Sequence, residues 1–296
     1  MYICNDCPRK CNAQRKALTD SGKGFCHMGE NPVIARADLH FWEEPPISGT
    51  NGSGTIFFSG CNLQCVYCQN RKISRGKFGK EITVTELKSA YKELINKGAH
   101  NINLVTGTHF IKAIVQSLED PLPVPVVYNC GGYESTEALK KLEGKISIYL
   151  PDLKYADNEL AVKYSKAPDY FEIATTAIRE MHRQVGHYEL DENGIMKKGV
   201  IIRHLILPGH LENTKKVIDW VKASFKEGEI LFSLMSQFTP TPECNEENLL
   251  RRLTQEEYDE IEDYLFNSGI EDGFMQELSS ASEEYVPPFE LGTILE

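Results

Sequence analysis

The stretch GTIFFSGCNLQCVYCQN, residues 54–70, joins an apolar, strand-like run directly to three closely spaced cysteines. Cys61, Cys65 and Cys68 follow the pattern C-x3-C-x2-C, and no fourth cysteine lies nearby in the sequence. Structural zinc sites generally use four ligands in paired C-x2-C spacings, so zinc binding or inert buried thiols are the weaker interpretations. Three thiolates on one loop can instead hold three corners of a 4Fe-4S cluster and leave its fourth iron open.

Beyond residue 80 the sequence alternates between strand-like apolar runs and amphipathic helical patterns. Thr83 and Glu86 are spaced as a capping box and predict a helix that ends near Gly98, and Thr254 is predicted to cap the last helix. Together with GTIFFS, the apolar runs predict about six strands, the later five at residues 102–106, 125–129, 145–150, 199–207 and 229–236. Such alternation is typical of parallel βαβ units, whose right-handed crossovers curl a sheet toward a barrel. Functional groups are then expected at the C-terminal ends of the strands.

The composition is that of a globular protein with an acidic surface. The chain has 296 residues, 41% of them hydrophobic, and no run of eighteen apolar residues that would predict a membrane span. Its first residues, MYICNDCPRK, lack the cationic start and apolar stretch of a secretory signal, which predicts a cytoplasmic location. The formal net charge of −11 disfavours general binding to nucleic acid.

The first thirty residues are polar and rich in cysteine. In a reducing compartment, clustered cysteines more often bind metal than form disulfides. Four cysteines therefore predict a small metal-binding knuckle that holds either a structural zinc ion or a second iron–sulfur cluster, and these are Cys4, Cys7, Cys11 and Cys26. Their spacing does not decide between the two metals. The predicted organisation is a knuckle at 1–30, a connector at 31–50, a barrel at 51–275 and a C-terminal strap at 276–296.

At the three-cysteine loop the sequence resembles the radical S-adenosylmethionine (SAM) superfamily, whose signature is C-x3-C-x-aromatic-C, with Tyr67 in the aromatic place. The stretches EEPPISGTNGSG (43–54), PDLK (151–154) and IIRHLILPG (201–209) resemble the pyruvate-formate-lyase-activating-enzyme-like branch, in particular its PflX-type subgroup. The resemblance implies an α/β fold, a (β/α)6 partial TIM barrel, beside the N-terminal metal-binding segment. It also implies that the amine and carboxylate of SAM chelate the open iron, and that a low-potential electron splits SAM into methionine and a hydrogen-abstracting 5′-deoxyadenosyl radical.

The resemblance implies SAM contacts after the second strand of the barrel. Activating enzymes carry a Gly-Gly-Glu stretch there that meets the SAM amine, whereas this chain has VTGTHF at 105–110. Thr106, Gly107 and Thr108 would have to act through backbone carbonyl and hydroxyl groups. The alternative is that the threonines cap the following helix.

Further SAM contacts are implied after the later strands. Asn129 takes the place of an aspartate, and Asp152 and Lys154 match an Asp-x-Lys pair that meets the ribose and the carboxylate of SAM, with a plain surface ion pair as the alternative. Arg203 lies within an apolar strand and needs a partner, either SAM or a carboxylate of the barrel. Gln237 occupies the place of a histidine near the adenosine, and a polar core residue is the alternative.

The remaining polar candidates favour structural roles. Cys130 lies near the predicted site but is more typical of a buried inert thiol, and His109 and His204 are more typical of hydrogen-bonded core histidines. Cys244 has no partner that the sequence identifies, and no catalytic side chain is assigned.

Three functional hypotheses follow from these patterns. The first is a radical SAM enzyme that activates a glycyl-radical enzyme, with a flavodoxin- or ferredoxin-like electron donor and a protein substrate. The second is radical modification of another peptide or of a small molecule. The third is a non-catalytic iron–sulfur electron carrier, which the altered Gly-Gly-Glu position leaves open. Neither nucleic acid nor a membrane is an expected partner.

Overall fold

Most of the chain is organised around one mixed β-sheet, and a computed structural model describes residues 2–16, 24–76, 78–242, 244–280, 289 and 291–292. The strands are β1 (Tyr2–Cys4), β2 (Ala13–Arg15), β3 (Val33–His40), β4 (Ser53–Phe58), β5 (Lys80–Glu81), β6 (Ile102–Val105), β7 (Val126–Cys130), β8 (Ile148–Pro151), β9 (Glu189–Leu190), β10 (Met196–Leu205), β11 (Leu231–Met235) and β12 (Gly273–Met275). The α-helices are α1 (Pro45–Ser48), α2 (Arg71–Ser74), α3 (Val84–Asn96), α4 (Ile111–Ser117), α5 (Thr136–Lys140), α6 (Asn158–Ser165), α7 (Tyr170–Val185), α8 (Leu211–Ser224) and α9 (Gln255–Ser268).

The main sheet has the strand order β12-β11-β10-β8-β7-β6-β4-β3-β5, and β9 pairs with β10 outside this order. Neighbouring strands are parallel from β4 to β12, as expected when helices form the crossovers between them. This arrangement is the α/β partial barrel that the sequence analysis predicts. The six predicted strands are β4, β6, β7, β8, β10 and β11. The short parallel strand β12 follows α9 and is not among the predicted strands.

Helix boundaries follow the capping signals in the sequence. Thr83 and Glu86 form a reciprocal capping box at α3, and Thr254 and Glu257 form another at α9. Ser135 accepts a backbone hydrogen bond at the start of α5. Because each cap satisfies backbone N–H groups that the helix leaves unpaired, these polar residues fix where the helices begin.

The core lies on both sides of the barrel strands. On the outside, α3 buries Leu87, Tyr91 and Leu94 in the largest hydrophobic cluster. On the inside, Ile47 of α1 packs with residues from β7, β8, β10 and β11 in a second cluster, whose other buried members are Val127, Ile148, Leu150, Met196, Ile201 and Leu231. Helix α1 therefore fills the N-terminal end of the barrel, which we call the barrel base.

Residues 31–50 are more than the predicted connector. Val33–His40 forms β3, which pairs antiparallel with β4 from Ile34↔Phe58 to His40↔Ser53 and continues to β5. The prediction misses this strand although a signal is present, because Ala35, Ala37 and Leu39 alternate with polar residues in the period-two pattern of a half-buried strand. The strand delivers the following segment to the barrel base.

The chain termini contact the barrel. β1 and β2 form an antiparallel hairpin that contains the first cysteines. Of the predicted C-terminal strap, residues 281–288, 290 and 293–296 lie outside the described residues. Within the described part, the Leu291 carbonyl accepts a hydrogen bond from the Ala37 N–H at 3.2 Å, and the Phe289 carbonyl accepts one from Lys72 Nζ at 3.0 Å. In the part of the chain that the structure describes, no helix is long and apolar enough to cross a membrane.

Candidate active site

A cavity of about 730 Å³ lies at the C-terminal ends of the parallel strands and extends to the barrel base. The cysteine loop contributes Cys65, Tyr67 and Cys68 to its lining. The strand ends contribute a set of polar side chains, which includes the predicted residues Asn129, Asp152, Lys154, Arg203 and Gln237. The structure therefore brings most of the predicted site residues to one cavity.

The cysteine loop begins where the buried strand β4 ends. Gly60 there has φ of +83°, and a Cβ atom at this position would lie 2.4 Å from the Met28 side chain, so glycine is required. Arg75 Nη2 donates hydrogen bonds to the backbone carbonyls of Gln64 (2.5 Å) and Cys65 (3.1 Å). These contacts hold the backbone at the second thiol in one conformation.

The three thiols lie near one another in a desolvated environment. Burial raises the pKa of the Cys61 thiol to about 12, and the neighbouring Cys65 and Cys68 add to the shift. Among the described residues, no group of three or more His, Cys, Asp or Glu side chains is arranged to hold a metal ion. A 4Fe-4S cluster places each ligand on a separate iron, so its thiolates need not converge on one point as ligands of a single ion must. Three adjacent thiols beside a large cavity fit such a cluster.

The aromatic residue of the cysteine motif, Tyr67, is linked to the loop by hydrogen bonds between buried hydroxyl groups. Tyr67 is 6% exposed, and its hydroxyl shares a 2.8 Å hydrogen bond with the Tyr155 hydroxyl. Tyr155 in turn bonds Ser165, whose hydroxyl donates to Cys65 Sγ at 3.0 Å. A chain of buried hydroxyls thus connects the aromatic position to the middle thiol.

An ion-pair ladder runs across the cavity from the cysteine loop to the barrel base, and its members are Lys154, Asp152, Arg203, Glu43 and Glu44. Lys154 Nζ lies 2.6 Å from Asp152 Oδ2, and Arg203 Nε lies 2.8 Å from Asp152 Oδ1. Burial opposes ionisation of Asp152, but Arg203 and Lys154 outweigh it and lower the pKa of this carboxyl. Arg203 thus has carboxylate partners in the barrel, one of the two alternatives that the sequence analysis names, and the pair formed by Asp152 and Lys154 is largely buried rather than a surface ion pair.

Lys154 also faces the cysteine loop. Burial opposes the charge of its ammonium group, while Asp152 and then Cys65 raise its pKa. Lys154 therefore lies between the thiols and the carboxylates and stays protonated. On the other side of the ladder, the amide of Asn129 accepts from Arg203 Nη2 at 2.7 Å.

Glu43 and Glu44 are site residues that the sequence analysis misses. Glu43 accepts hydrogen bonds from Asn103 Nδ2 at 3.1 Å and from Arg203 Nη1 at 3.2 Å. Burial raises the pKa of both glutamates, and Arg203 opposes the shift. The signal in the sequence that could have identified them is the pair of adjacent glutamates directly before Pro45. It becomes interpretable once β3 is known to deliver this segment to the barrel interior.

The predicted contacts at 106–108 are placed differently. Thr106, Gly107 and Thr108 are absent from the residues that line the cavity. Thr108 is buried, and its hydroxyl donates to Glu134 Oε1 at 2.5 Å, so the predicted hydroxyl contact of Thr108 with SAM is wrong. Burial raises the pKa of Glu134 to about 7, and the hydrogen bonds from Thr108 and Tyr128 oppose this shift. Thr106 has φ of +60°, an unusual conformation for a β-branched residue at a strand end.

The secondary candidates are buried core groups, and of their polar atoms only His109 Nδ1 has no hydrogen-bond partner among the described residues. Burial raises the pKa of Cys130, a direction that disfavours the reactive thiolate. His204 bonds the Leu153 carbonyl at 2.6 Å and the Thr214 hydroxyl at 2.9 Å, and burial lowers its pKa to about 4. His109 Nε2 lies 2.7 Å from the Ser59 carbonyl, and burial lowers its pKa to about 3. Both histidines are therefore neutral.

The four N-terminal cysteines surround a second, much smaller cavity of about 10 Å³, which Arg9, Arg15 and Asn62 also line. Arg15 Nη2 donates to Cys26 Sγ at 3.1 Å, and burial raises the pKa of Cys7 to about 12. The small cavity adjoins the cysteine loop, because Asn62 directly follows Cys61 in the chain.

The sequence and the fold both have known relatives. The family model described as the radical SAM superfamily matches residues 55–221, more than half of the chain. The chain is 31% identical over 265 residues to an uncharacterized protein of Methanocaldococcus jannaschii, which covers 86% of this chain and 71% of that protein. It is 25% identical over 195 residues to the pyruvate formate-lyase-activating enzyme of Staphylococcus aureus, which covers 60% of this chain and 68% of that enzyme.

Among solved structures, SuiB of Streptococcus suis has a similar fold, with a TM-score of 0.50 and 12% identity over 77% of this chain. The match covers 50% of SuiB, so this chain spans about half of its length. With the family match and the cysteine motif beside the barrel cavity, the chain belongs to the radical SAM superfamily.

Proposed function

We propose that the protein binds a 4Fe-4S cluster at Cys61, Cys65 and Cys68 and cleaves SAM reductively to abstract hydrogen from a substrate. The observation that carries this proposal is the cavity of about 730 Å³, which joins two of the thiols to the Lys154–Asp152 end of a buried ladder of opposite charges. SAM is a cation with a zwitterionic methionine end, and such a ligand requires both signs of charge close to an open iron.

The protein side chains orient the cofactor and exclude water. Lys154 lies next to the cysteine loop, so its ammonium group would meet the carboxylate of SAM. Asp152 keeps Lys154 protonated and in place through their 2.6 Å ion pair. Asn129 and Gln237, which also line the cavity, would contact the ribose or the adenine. For Thr106 and Gly107 we keep only the predicted contact between their backbone carbonyl groups and SAM.

When bound to the reduced cluster, SAM supplies a 5′-deoxyadenosyl radical and methionine, at the expense of one electron from a flavodoxin- or ferredoxin-like donor. Hydrogen transfer to this radical leaves 5′-deoxyadenosine and a substrate radical. Buried side chains in the lining, among them Tyr67, Met235 and Phe238, would help to keep water from the reacting groups and so favour transfer from substrate over side reactions.

The first candidate substrate is a glycine of a partner protein, which would make the protein an activase for a glycyl-radical enzyme. The likeness to the Staphylococcus aureus activating enzyme supports this candidate. The loss of the Gly-Gly-Glu stretch favours a second candidate, another peptide or a small molecule held by different contacts.

For the N-terminal thiols we propose one structural zinc ion rather than a second cluster. The four thiols line one cavity of about 10 Å³, which favours a single ion over a larger cube of four irons and four sulfides. Within the described residues, these thiols do not yet converge as the ligands of one ion must. The guanidinium of Arg15 beside Cys26 would offset part of the negative charge of four thiolates. Turning the thiols toward the centre of the cavity would complete the coordination.

Anaerobic reconstitution tests the central step. Protein with iron, sulfide, SAM and dithionite is expected to release 5′-deoxyadenosine, measured by chromatography. Cys65→Ser should reduce the product to background, whereas Cys244→Ser should retain it because Cys244 is buried and far from the cysteine loop in sequence. Wild-type protein that binds a cluster but forms no product would favour the electron-carrier hypothesis instead.

A further inference from the structure

One carboxylate oxygen in the cavity lacks a partner. Glu44 lines the cavity and is 9% exposed, and its Oε2 atom has no hydrogen-bond partner among the described residues. Its other oxygen accepts from Ser233 Oγ at 3.2 Å, and Arg203 Nη1 lies 3.8 Å from Oε2, beyond hydrogen-bond distance. Because an unpaired buried carboxylate oxygen costs free energy, Oε2 marks a position where a donor is missing.

The charge balance of the ladder points to the same missing group. Its three carboxylates face two cations, and one guanidinium, that of Arg203, contacts all three of Glu43, Glu44 and Asp152. Burial raises the pKa of Glu44 although Arg203 opposes the shift, a direction that favours the neutral carboxyl while no further cation is present. A cation beside the unpaired oxygen would stabilise the charged carboxylate, and the excess of carboxylates over cations in the ladder leaves room for one.

The position of Glu44 separates this charge from the charged end of SAM. The amine and carboxylate of SAM are expected at the open iron, beside the cysteine loop and Lys154. Glu44 lies at the opposite end of the ladder, beyond both Asp152 and Arg203, and precedes the helix α1 that fills the barrel base. A second ligand is therefore needed to bring a cation to Glu44.

We propose that Glu44 binds a cationic nitrogen, an ammonium or guanidinium group, on the substrate whose hydrogen is abstracted. This inference rests on the proposed radical SAM function and specifies the substrate class. Phe41 and Trp42 line the same cavity and are 51% and 54% exposed. Their rings provide apolar surface for the stem of such a substrate and aromatic faces that attract a cation.

The test compares charged ligands with uncharged ones of similar shape. Nα-acetyl-lysinamide is titrated against Nα-acetyl-norleucinamide, and pentylammonium against pentanol, by calorimetry on reconstituted, SAM-loaded protein. The first pair represents a basic side chain of a peptide and the second a small amine. We expect the charged member of at least one pair to bind about tenfold more tightly, as a charge-assisted hydrogen bond provides.

Glu44→Gln keeps the shape of the side chain but removes its charge, and we expect it to abolish that preference while the affinity for SAM stays within about twofold. The matched control Glu192→Gln changes an exposed glutamate in a turn and should keep the preference. Equal binding of both members in both pairs, which needs no variant to observe, overturns the inference, as does weakened SAM binding in Glu44→Gln. Release of 5′-deoxyadenosine by the same wild-type preparation reports on the proposed function separately.

Discussion

The two cysteine-rich regions of the molecule lie side by side but differ in what surrounds their thiols. The loop with Cys61, Cys65 and Cys68 opens onto a cavity of about 730 Å³, whereas the four N-terminal cysteines enclose one of about 10 Å³. Three ligands beside a large space fit a metal centre that must accept another molecule. Four ligands around a small space fit a metal that stabilises the fold of a short segment.

The largest expected difference between the two regions is in metal content. Cys68→Ser should remove about four irons per chain and leave the proposed zinc ion, because the loop has no fourth cysteine to replace the lost ligand. Cys4→Ser should remove the proposed zinc ion and leave the irons, and Cys244→Ser should change neither metal. Elemental analysis of the purified variants measures this. Loss of iron from Cys4→Ser with Cys68→Ser unaffected would contradict the assignment of the two regions.

Next in size is the stability of the ladder that lines the large cavity. Arg203→Met should lower the free energy of unfolding by about 3–5 kcal/mol, because it leaves buried carboxylates without their guanidinium partner. The exposed Arg252→Met is the control and should stay within about 0.5 kcal/mol of wild type. Urea titration gives both values. A cost near zero for Arg203→Met would mean that water, rather than the ladder, solvates these carboxylates.

A smaller effect is expected where the N-terminal segment meets the barrel. Arg9 Nε donates to the Asn62 carbonyl at 2.7 Å, Nη2 donates to the Ser165 carbonyl at 2.7 Å, and the guanidinium carbon lies 4.0 Å from the centre of the Phe25 ring. Arg9→Ala should cost about 1–3 kcal/mol.

Arg9→Lys should recover only part of this loss, since an ammonium group cannot reach several carbonyls in a plane. In Arg9→Ala, amide hydrogen exchange should become faster in residues 2–16 and remain unchanged in the strands of the barrel. Faster exchange in both the N-terminal segment and the barrel would contradict this, because it would show that they unfold as one unit.

The smallest expected effect concerns a thiol near the cavity that belongs to neither region. Cys130 is 2% exposed, and burial raises its pKa, so iodoacetamide should leave it unmodified in the native protein. Cys11 is exposed and should react once metal is removed. Mass spectrometry of the alkylated protein distinguishes them. Fast modification of Cys130 would instead indicate a reactive thiol.

Local signals in the sequence predict much of the fold. The capping boxes at Thr83 and Thr254 and the apolar strands of the barrel depend on neighbouring residues, so their pattern is visible in the sequence. Strand β3 is missed because the strand predictions rest on continuous apolar runs, whereas Ala37 and Leu39 alternate with polar residues, and β12 is missed because three residues carry no period.

The site was predictable where one short motif contains its residues. The cysteine loop and the Asp152–Lys154 pair are such motifs, and the cavity contains both. Glu43 and Glu44 could not be assigned, because their role depends on β3 pairing with β4 and on Arg203, which lies far along the chain. Thr108 was assigned to SAM because its partner Glu134, from a later turn, is not evident in the sequence.

Electron paramagnetic resonance of the reduced, reconstituted protein tests the central claim most directly. If the cluster on the cysteine loop has an iron without a protein ligand, SAM should change its spectrum, and a SAM labelled at the amine nitrogen should show coupling to the cluster. A spectrum that is identical with and without saturating SAM would contradict the account.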